Sequence, residues 1–168
     1  MPLTNPQLAV FKTALFAEAA PDLVILRNAG ATGAIADWYN TPITPEFIVW
    51  RTRVTEHEIV GNTSAEVTVW NWSVYIARSQ GERDAWVRMF NGTYSVNPSV
   101  PQVRSGFADI FSGGTGAAQR IHLLAISKRN CTRAEKIFAV GTGTTPIPAN
   151  LVFEGNVSEY EVVRALFQ

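Results

Sequence analysis

Apolar residues recur at helical spacing near both ends of the chain. Between positions 8 and 16 they return every three or four residues, which places them on one side of a helix. Thr4 and Gln7 form a capping-box pattern, so this helix is predicted over about residues 5–18. Similar signals predict a short helix after Pro21 and further helices over residues 33–40, 79–91, 101–111 and 158–166.

The pattern is less decisive between residues 47 and 76. Residues 47–54 (FIVWRTRV) are β-branched and aromatic, which favours a strand, whereas residues 55–60 return to a helical composition. Residues 66–76 (EVTVWNWSVYI) alternate between two faces, and this period of two favours a second strand. A helix fits so short a run as well, so strand or helix stays open for this region.

A long helix is predicted to begin at Ala117. Thr132 and Glu135 either cap a new helix or lie inside a continuous one that reaches Val140. Residues 141–150 (GTGTTPIPAN) form a loop, and residues 151–153 form a short strand. No internal repeat or linker divides the chain. The sequence therefore predicts a mainly α fold over residues 1–168, a compact single helical domain with a few short strands.

The composition is that of a globular protein with an unusually uncharged surface. Hydrophobic residues make up 46% of the chain, and charged residues make up 17%, against an average of about 25%. Five Trp and nine Phe either fill the core, which we favour, or anchor an interface. If they anchor an interface, a partner covers part of the surface.

Charge and apolar runs exclude several classes of protein. Fourteen basic and fourteen acidic residues cancel without a basic stripe, which argues against specific nucleic-acid recognition. No apolar run is long enough for a membrane span, and the N-terminus lacks the basic region of a secretory signal. A lone Cys131 excludes an intrachain disulfide framework, as expected for a protein made in a reducing cytosol.

Two motifs resemble ligand sites but lack a required part. GTGTTP lacks the Lys-Ser/Thr ending of a phosphate loop and follows a predicted helix instead of a strand. We interpret it as a connection whose Thr142, Thr144 and Thr145 can touch a partner. The run from Thr55 to Glu58 (TEHE) lacks the second His of a zincin motif, so a solvated helix face is the better interpretation.

His122 and Cys131 are the remaining candidates for catalysis. They lie nine residues apart in one predicted helical run, or about two and a half turns, too far for a hydrogen bond. Cys131 is best interpreted as a small buried apolar residue. The sequence thus predicts no catalytic, cofactor-binding or metal-binding residues, and a protein that is not an enzyme.

Three cations of the long predicted helix recur at helical spacing. Arg129, Arg133 and Lys136 are four and three residues apart, so one continuous helix would place them on a shared face. Such a face is either solvated, with Glu135 among its partners, or it contacts an acidic partner surface or DNA passing nearby.

Several phrases spread from Leu8 to Val163 resemble a known group of proteins. They are YN at 39–40, VWRT at 49–52, NP at 97–98, IFSG at 110–113, TRAEKIF at 132–138, GTGT at 141–144 and LVFEG at 151–155. Together they resemble a family of small proteins encoded among the virion-morphogenesis genes of tailed bacteriophages. None of these phrases is a catalytic signature.

This resemblance implies a structural role in the virion. A small helical protein of this kind suits the head–tail connector, as an adaptor or head-completion protein that forms a homo-oligomeric ring and contacts portal or tail proteins. It would be made in the host bacterial cytoplasm and reside in the virion. Alternatives are capsid decoration, a tail-terminator or other tail component, or a non-virion helical domain that binds a small molecule. The ring symmetry and the neighbouring proteins stay open.

Overall fold

The structure, a computed structural model, describes residues 2–61, 69–92 and 94–168. Within these ranges lie ten helices: α1 (Asn5–Ala17), α2 (Pro21–Asn28), α3 (Thr32–Asn40), α4 (Glu56–Gly61), α5 (Trp72–Ile76), α6 (Gln80–Phe90), α7 (Pro101–Ile110), α8 (Ala117–Ile126), α9 (Arg133–Phe138) and α10 (Glu159–Phe167). Six short strands accompany them: β1 (Ile48–Trp50), β2 (Val54–Thr55), β3 (Ser95–Val96), β4 (Lys128–Asn130), β5 (Ala139–Val140) and β6 (Asn150–Leu151). The predicted mainly α fold with a few short strands is confirmed.

Capping boxes start several of the predicted helices. Thr4 accepts a hydrogen bond from the backbone N–H of Gln7 and starts α1. Ser79 does the same for α6, and Ser158 for α10. Each box satisfies two backbone N–H groups that have no partner inside the helix, which explains why the predicted starts agree with the structure.

The pattern over residues 66–76 favoured a strand and left a helix open, and the structure has a helix within this run. Residues 72–76 form α5, and residues 66–68 lie outside the described residues. The Asn71 side chain accepts hydrogen bonds from the N–H groups of Ser73 and Val74, which starts a helix. Upstream, β1, β2 and α4 show that residues 47–60 contain both strand and helix.

The helix that begins at Ala117 does not continue to Val140, which was one of the two alternatives. Helix α8 stops at Ile126, β4 follows, and Thr132 caps a new helix, α9, with Glu135 completing the capping box. Of the two alternatives at Thr132, the new helix is therefore correct. Because β5 follows α9, the loop at residues 141–150 comes after a two-residue strand and not directly after a helix.

The chain folds into two compact units. Unit 1 contains the described residues of Met1–Val49 and Asn130–Gln168, and unit 2 those of Trp50–Arg129. Unit 1 therefore contains both ends of the sequence, and unit 2 is formed by the middle segment. The single-domain organisation expected from the sequence stays a prediction.

Unit 1 has a core of helices from both ends of the chain. Helix α3 packs on α10, α2 and α9, and α1 packs on α10 and α9. Phe11, Leu15 and Val162 are fully buried there, and the rings of Phe11 and Tyr39 meet edge to face at 4.9 Å. Strands β5 and β6 pair antiparallel beside this core, with Ala139 opposite Leu151.

Unit 2 is organised around an aromatic cluster. Trp86 is 2% exposed and contacts the rings of Trp70, Phe90 and Phe111 at 5.0, 4.8 and 5.7 Å. Its indole N–H donates to Glu56. Trp70 and Trp86 therefore lie in the core, which is the alternative that we favoured for the aromatic residues. Strands β2 and β3 pair antiparallel, with Val54 opposite Val96.

Candidate functional site

The structure separates the three cations that were expected on one helix face. Arg129 lies in β4, whereas Arg133 and Lys136 lie in α9. The prediction of a shared face is therefore wrong, because strand β4 separates α8 from α9. Arg133 and Lys136 still share α9, three residues apart, and only Lys136 of this pair is well exposed.

Arg133 is held against the C-terminal end of α3. Its guanidinium donates hydrogen bonds to the carbonyl oxygen of Trp38, at 3.3 Å, and to the hydroxyl of Thr41. The same group lies over the Trp38 ring, 4.4 Å from its centroid. A cation at this position stabilises helix carbonyls that have no partner inside the helix. Arg133 therefore stabilises unit 1 whether or not a partner is bound.

A cleft of about 510 Å³ lies where α1, α3 and α9 of unit 1 meet, and Arg133 is in its wall. Its polar lining consists of Glu18, Tyr39, Thr44, Arg133 and Lys136. Alanine and isoleucine side chains and the Trp38 indole supply the apolar lining. A volume of several hundred Å³ is typical of a small-molecule site.

The Tyr39 hydroxyl is the unusual group of this cleft. Tyr39 is 3% exposed, and its hydroxyl oxygen has no hydrogen-bond partner among the described residues. Burial, followed by the nearby Glu18 carboxylate, raises the pKa of Tyr39 well above its usual range. A buried hydroxyl without a partner costs about 1–3 kcal/mol, so the fold tolerates an unfavourable polar group here.

The glycine-rich loop is anchored on one side and open on the other. Thr142, Thr144 and Thr145 are exposed, as expected for residues that can touch a partner, but Gly143, Pro148 and Ala149 are buried. The N–H of Ile48 donates to the carbonyl of Gly143 at 2.7 Å, and the N–H of Ala149 donates to the carbonyl of Ile48 at 2.9 Å. The loop is thus fixed to the segment at β1.

Unit 2 has a more polar cleft of about 460 Å³, lined by Arg51, His57, Glu58 and Lys128 among others. His57 is exposed, as expected for a solvated helix face. Glu58 has further contacts: its carboxylate accepts from the N–H of Thr55 and pairs with Arg51. Partial burial opposes ionisation of Glu58, but the hydrogen bonds from Arg51 and Thr55 outweigh it and lower the pKa to about 2.

His122 and Cys131 are both fully buried, in units 2 and 1 respectively. The helical run that was expected to contain both is interrupted by β4. The ring nitrogen Nε2 of His122 lies 2.8 Å from the carbonyl oxygen of Ile59. Among the described residues, no group of three or more His, Cys, Asp or Glu is placed to hold a metal ion.

Sequence reasoning did not identify Glu18 or the Tyr39 hydroxyl as site residues. Glu18 follows α1 and Tyr39 lies in α3, and each looks like an ordinary helix residue in the sequence. The Tyr39–Asn40 phrase belonged to the family resemblance, but nothing in it indicated a buried hydroxyl without a partner. Only the packing of α1, α3 and α9 brings these groups to one cleft.

Charge is divided unequally between the two units. Unit 1 contains five Lys and Arg against eight Asp and Glu, whereas unit 2 contains nine against six. With neutral histidines the formal charge is therefore −3 for unit 1 and +3 for unit 2. Six of the unit 1 acids are well exposed: Glu18, Asp22, Asp37, Glu46, Glu154 and Glu159. The whole chain is neutral because the opposite charges of the two units cancel.

Comparisons with known proteins leave the family open. In the described residues, no helix is long and apolar enough to cross a bilayer. No family model matches the chain, and neither a curated protein nor a solved structure shows a significant similarity to it.

Proposed function

We propose that this chain is a non-catalytic structural component of a tailed-phage virion, and that its copies assemble into a ring of the head–tail connector, as an adaptor or head-completion protein. The phrases that resemble virion-morphogenesis proteins support the virion role. The proposed contacts to neighbours, including portal or tail proteins, involve Arg129, Lys136 and the exposed threonines at 142, 144 and 145.

The observation that carries the assembly proposal is the opposite charge of the two units. A ring requires a heterologous interface, in which one surface of a subunit meets a different surface of the next. A unit of charge −3 and a unit of charge +3 in every copy supply complementary partners for such an interface. An interface that pairs unit 1 with unit 1, or unit 2 with unit 2, would bring like charges together.

Exposed apolar side chains support an interface as well. On α10, Tyr160 and Phe167 are seven residues apart, so they share a helix face, and they are 68% and 69% exposed. On α5, Trp72 and Ile76 are four residues apart and are 52% and 64% exposed. Aromatic side chains of this kind provide much of the binding energy in interfaces.

The first experiment measures the oligomeric state of the purified chain by light scattering and native mass spectrometry over a series of salt concentrations. We expect a discrete oligomer that dissociates as salt rises, because screening weakens attraction between exposed charges. Electron microscopy of negatively stained samples should show closed rings. A chain that stays monomeric at every salt and protein concentration would refute the assembly proposal.

Charge reversal tests the polarity of the interface. Asp37→Lys with Glu46→Lys changes unit 1 from −3 to +1, and Arg53→Glu with Arg88→Glu changes unit 2 from +3 to −1. All four side chains are exposed. We expect each double variant to associate poorly alone and a mixture of the two to associate again, because the mixture contains one unaltered unit of each sign.

The matched control is Arg53→Lys with Arg88→Lys, which preserves charge and should associate like the unchanged chain. If either double variant alone associates normally, opposite unit charges do not direct assembly. The position of the chain in an electron-microscopy map of the particle distinguishes a connector from capsid decoration or a tail component.

A further inference from the structure

The cleft of unit 1 contains polar groups of both signs around an apolar centre. Glu18 supplies a carboxylate, and Lys136 supplies an ammonium group, both on exposed side chains. Arg133 adds a second positive group, already fixed by Trp38 and Thr41. Ile43, Ile137 and the alanines complete the apolar lining. A ligand that satisfies this lining carries both a positive and a negative group on an apolar body.

The Tyr39 hydroxyl is an independent indication of a ligand. It belongs to a residue that lines the cleft, is almost completely buried, and has no hydrogen-bond partner in the described part of the chain. The oxygen is itself closed off from solvent, so a ligand carboxylate or ammonium group can hydrogen-bond to it only after a small shift of the cleft side chains. Such a contact relieves an unfavourable burial that the free protein carries.

We propose that this cleft binds a small zwitterionic molecule with an apolar body, the class of free aliphatic and aromatic amino acids and their dipeptides. The ammonium group of the ligand pairs with Glu18, and its carboxylate pairs with Lys136. The Tyr39 hydroxyl hydrogen-bonds to one of these ligand groups, and the apolar body packs on Trp38, Ile43 and Ile137. This site does not depend on the proposed assembly.

The cleft is large enough for this class. Ligand sites commonly measure about 300–1,000 Å³, and the cleft measures about 510 Å³. A dipeptide fills more of it than a single amino acid and buries more apolar surface, so we expect dipeptides with two large apolar side chains to bind more tightly.

The binding experiment uses titration calorimetry and saturation-transfer NMR with named probes. The zwitterions are L-leucine, L-phenylalanine and the dipeptide leucyl-phenylalanine. Isoamylamine carries only the positive group, and 4-methylvalerate carries only the negative group. We expect the zwitterions to bind and each single-charge analogue to bind about tenfold more weakly or worse, as for loss of one charge-assisted contact. Binding of 4-methylvalerate as tight as that of L-leucine would overturn the zwitterion class.

Substitutions test which residues contact the ligand. Glu18→Gln and Lys136→Gln should each weaken zwitterion binding by about tenfold, while Asp22→Asn, at an exposed acid of α2 outside the cleft lining, should leave binding unchanged. Tyr39→Phe should weaken binding and at the same time raise the melting temperature of the ligand-free protein, because it removes a buried hydroxyl without a partner. Tyr94→Phe, at an exposed tyrosine, should change neither.

Zwitterion affinity and melting temperature together distinguish a ligand contact from a hydroxyl that affects stability alone. If Tyr39→Phe raises the melting temperature but leaves zwitterion affinity unchanged, the hydroxyl is not a ligand contact. If none of the zwitterions binds the unchanged protein at millimolar concentration, the proposal is wrong. Capture of a neighbouring subunit's chain in the cleft, with no response to any zwitterion, would assign the cleft to assembly and overturn the small-molecule site.

Discussion

The guanidinium of Arg133 stacks on the ring of Trp38 and donates a hydrogen bond to the backbone carbonyl of the same residue. One side chain from near the end of the sequence thus secures the C-terminal end of a helix from near its beginning. The stacking contact and the hydrogen bond together fix α9 against α3 in unit 1.

Replacing Arg133 should therefore destabilise the fold. We expect Arg133→Ala to lower the free energy of unfolding by about 1–2 kcal/mol, because it removes the cation from the helix end and from the indole. Arg133→Lys should recover little of this, since an ammonium group cannot stack and bond as a planar fork does. Urea unfolding monitored by circular dichroism measures both.

The control is Lys136→Ala on the same helix. Lys136 is exposed, so its loss should cost less than about 0.5 kcal/mol. Equal losses for Arg133→Ala and Lys136→Ala would show that the contact with Trp38 contributes nothing.

Glu161 should stabilise unit 1 by joining the first residues to the last helix. It is 2% exposed, and its carboxylate accepts hydrogen bonds from the N–H groups of Leu3 and Ser158. Burial opposes ionisation, but these hydrogen bonds outweigh it and lower the pKa of Glu161. We expect Glu161→Gln to cost about 1–3 kcal/mol, because one acceptor oxygen becomes a donor that faces another donor.

Chemical unfolding of Glu161→Gln beside Glu159→Gln checks this expectation. Glu159 lies on an exposed position of the same first turn, where its carboxylate accepts from the hydroxyl of Thr32. Its replacement should cost clearly less. The interpretation of Glu161 would be wrong if both variants unfolded at the same urea concentration.

The pairing of Glu58 with Arg51 should make the stability of unit 2 depend on acid pH. The pKa of Glu58 is lowered to about 2 in the folded chain. A lowered pKa stabilises the fold above the unfolded pKa, and this contribution is lost as pH falls through the folded value, a window of about pH 5 to 2. Because Glu58 is partly exposed, solvent screening limits the effect to about 1 kcal/mol.

Glu58→Gln removes the titrating group and serves as the comparison. We expect the unchanged protein to be more stable than this variant near neutral pH and the difference to shrink on acidification. Melting temperatures measured across this range report it. A difference that stays constant with pH would exclude a contribution from the ionised carboxylate.

Gly143 should tolerate no side chain. Its φ is +68°, and a Cβ built there would lie 2.3 Å from the Phe47 ring. Gly30 has a similar φ of +64° but open space around it. We expect Gly30→Ala to cost about 1 kcal/mol from backbone strain alone, and Gly143→Ala to cost more, about 2–4 kcal/mol, because the ring must move as well.

Thermal unfolding of the two variants isolates the contact with Phe47, since the backbone strain is shared. A loss of stability for Gly143→Ala no larger than that for Gly30→Ala would show that the Phe47 contact is unimportant.

The hydrogen bond from Ile48 to Gly143 also determines which variants can test partner contact by the loop. Deleting residues 142–145 would remove the Gly143 carbonyl that accepts this hydrogen bond, so it should lower the melting temperature. Thr144→Ala and Thr145→Ala are better probes of partner contact.

The local sequence determines the starts of α1, α6, α9 and α10. Capping boxes at Thr4, Ser79, Thr132 and Ser158 all form, because a side chain three residues away suffices to satisfy the first N–H groups. Such contacts need no tertiary partner, and so the mainly helical fold could be predicted. Residues 72–76 form a helix although the alternation favoured a strand, because the Asn71 side chain caps the first turn and five residues are too few for periodicity to distinguish the two.

The tertiary structure decides what the residues of these elements do. Unit 1 contains both ends of the sequence and unit 2 the middle segment, and this division gives a neutral chain two units of charge −3 and +3. The cleft with Glu18, Tyr39 and Lys136 likewise exists only because three helices distant in sequence pack together. Charge segregation and cleft formation depend on contacts between residues far apart in the chain, for which neither periodicity nor spacing provides a signal.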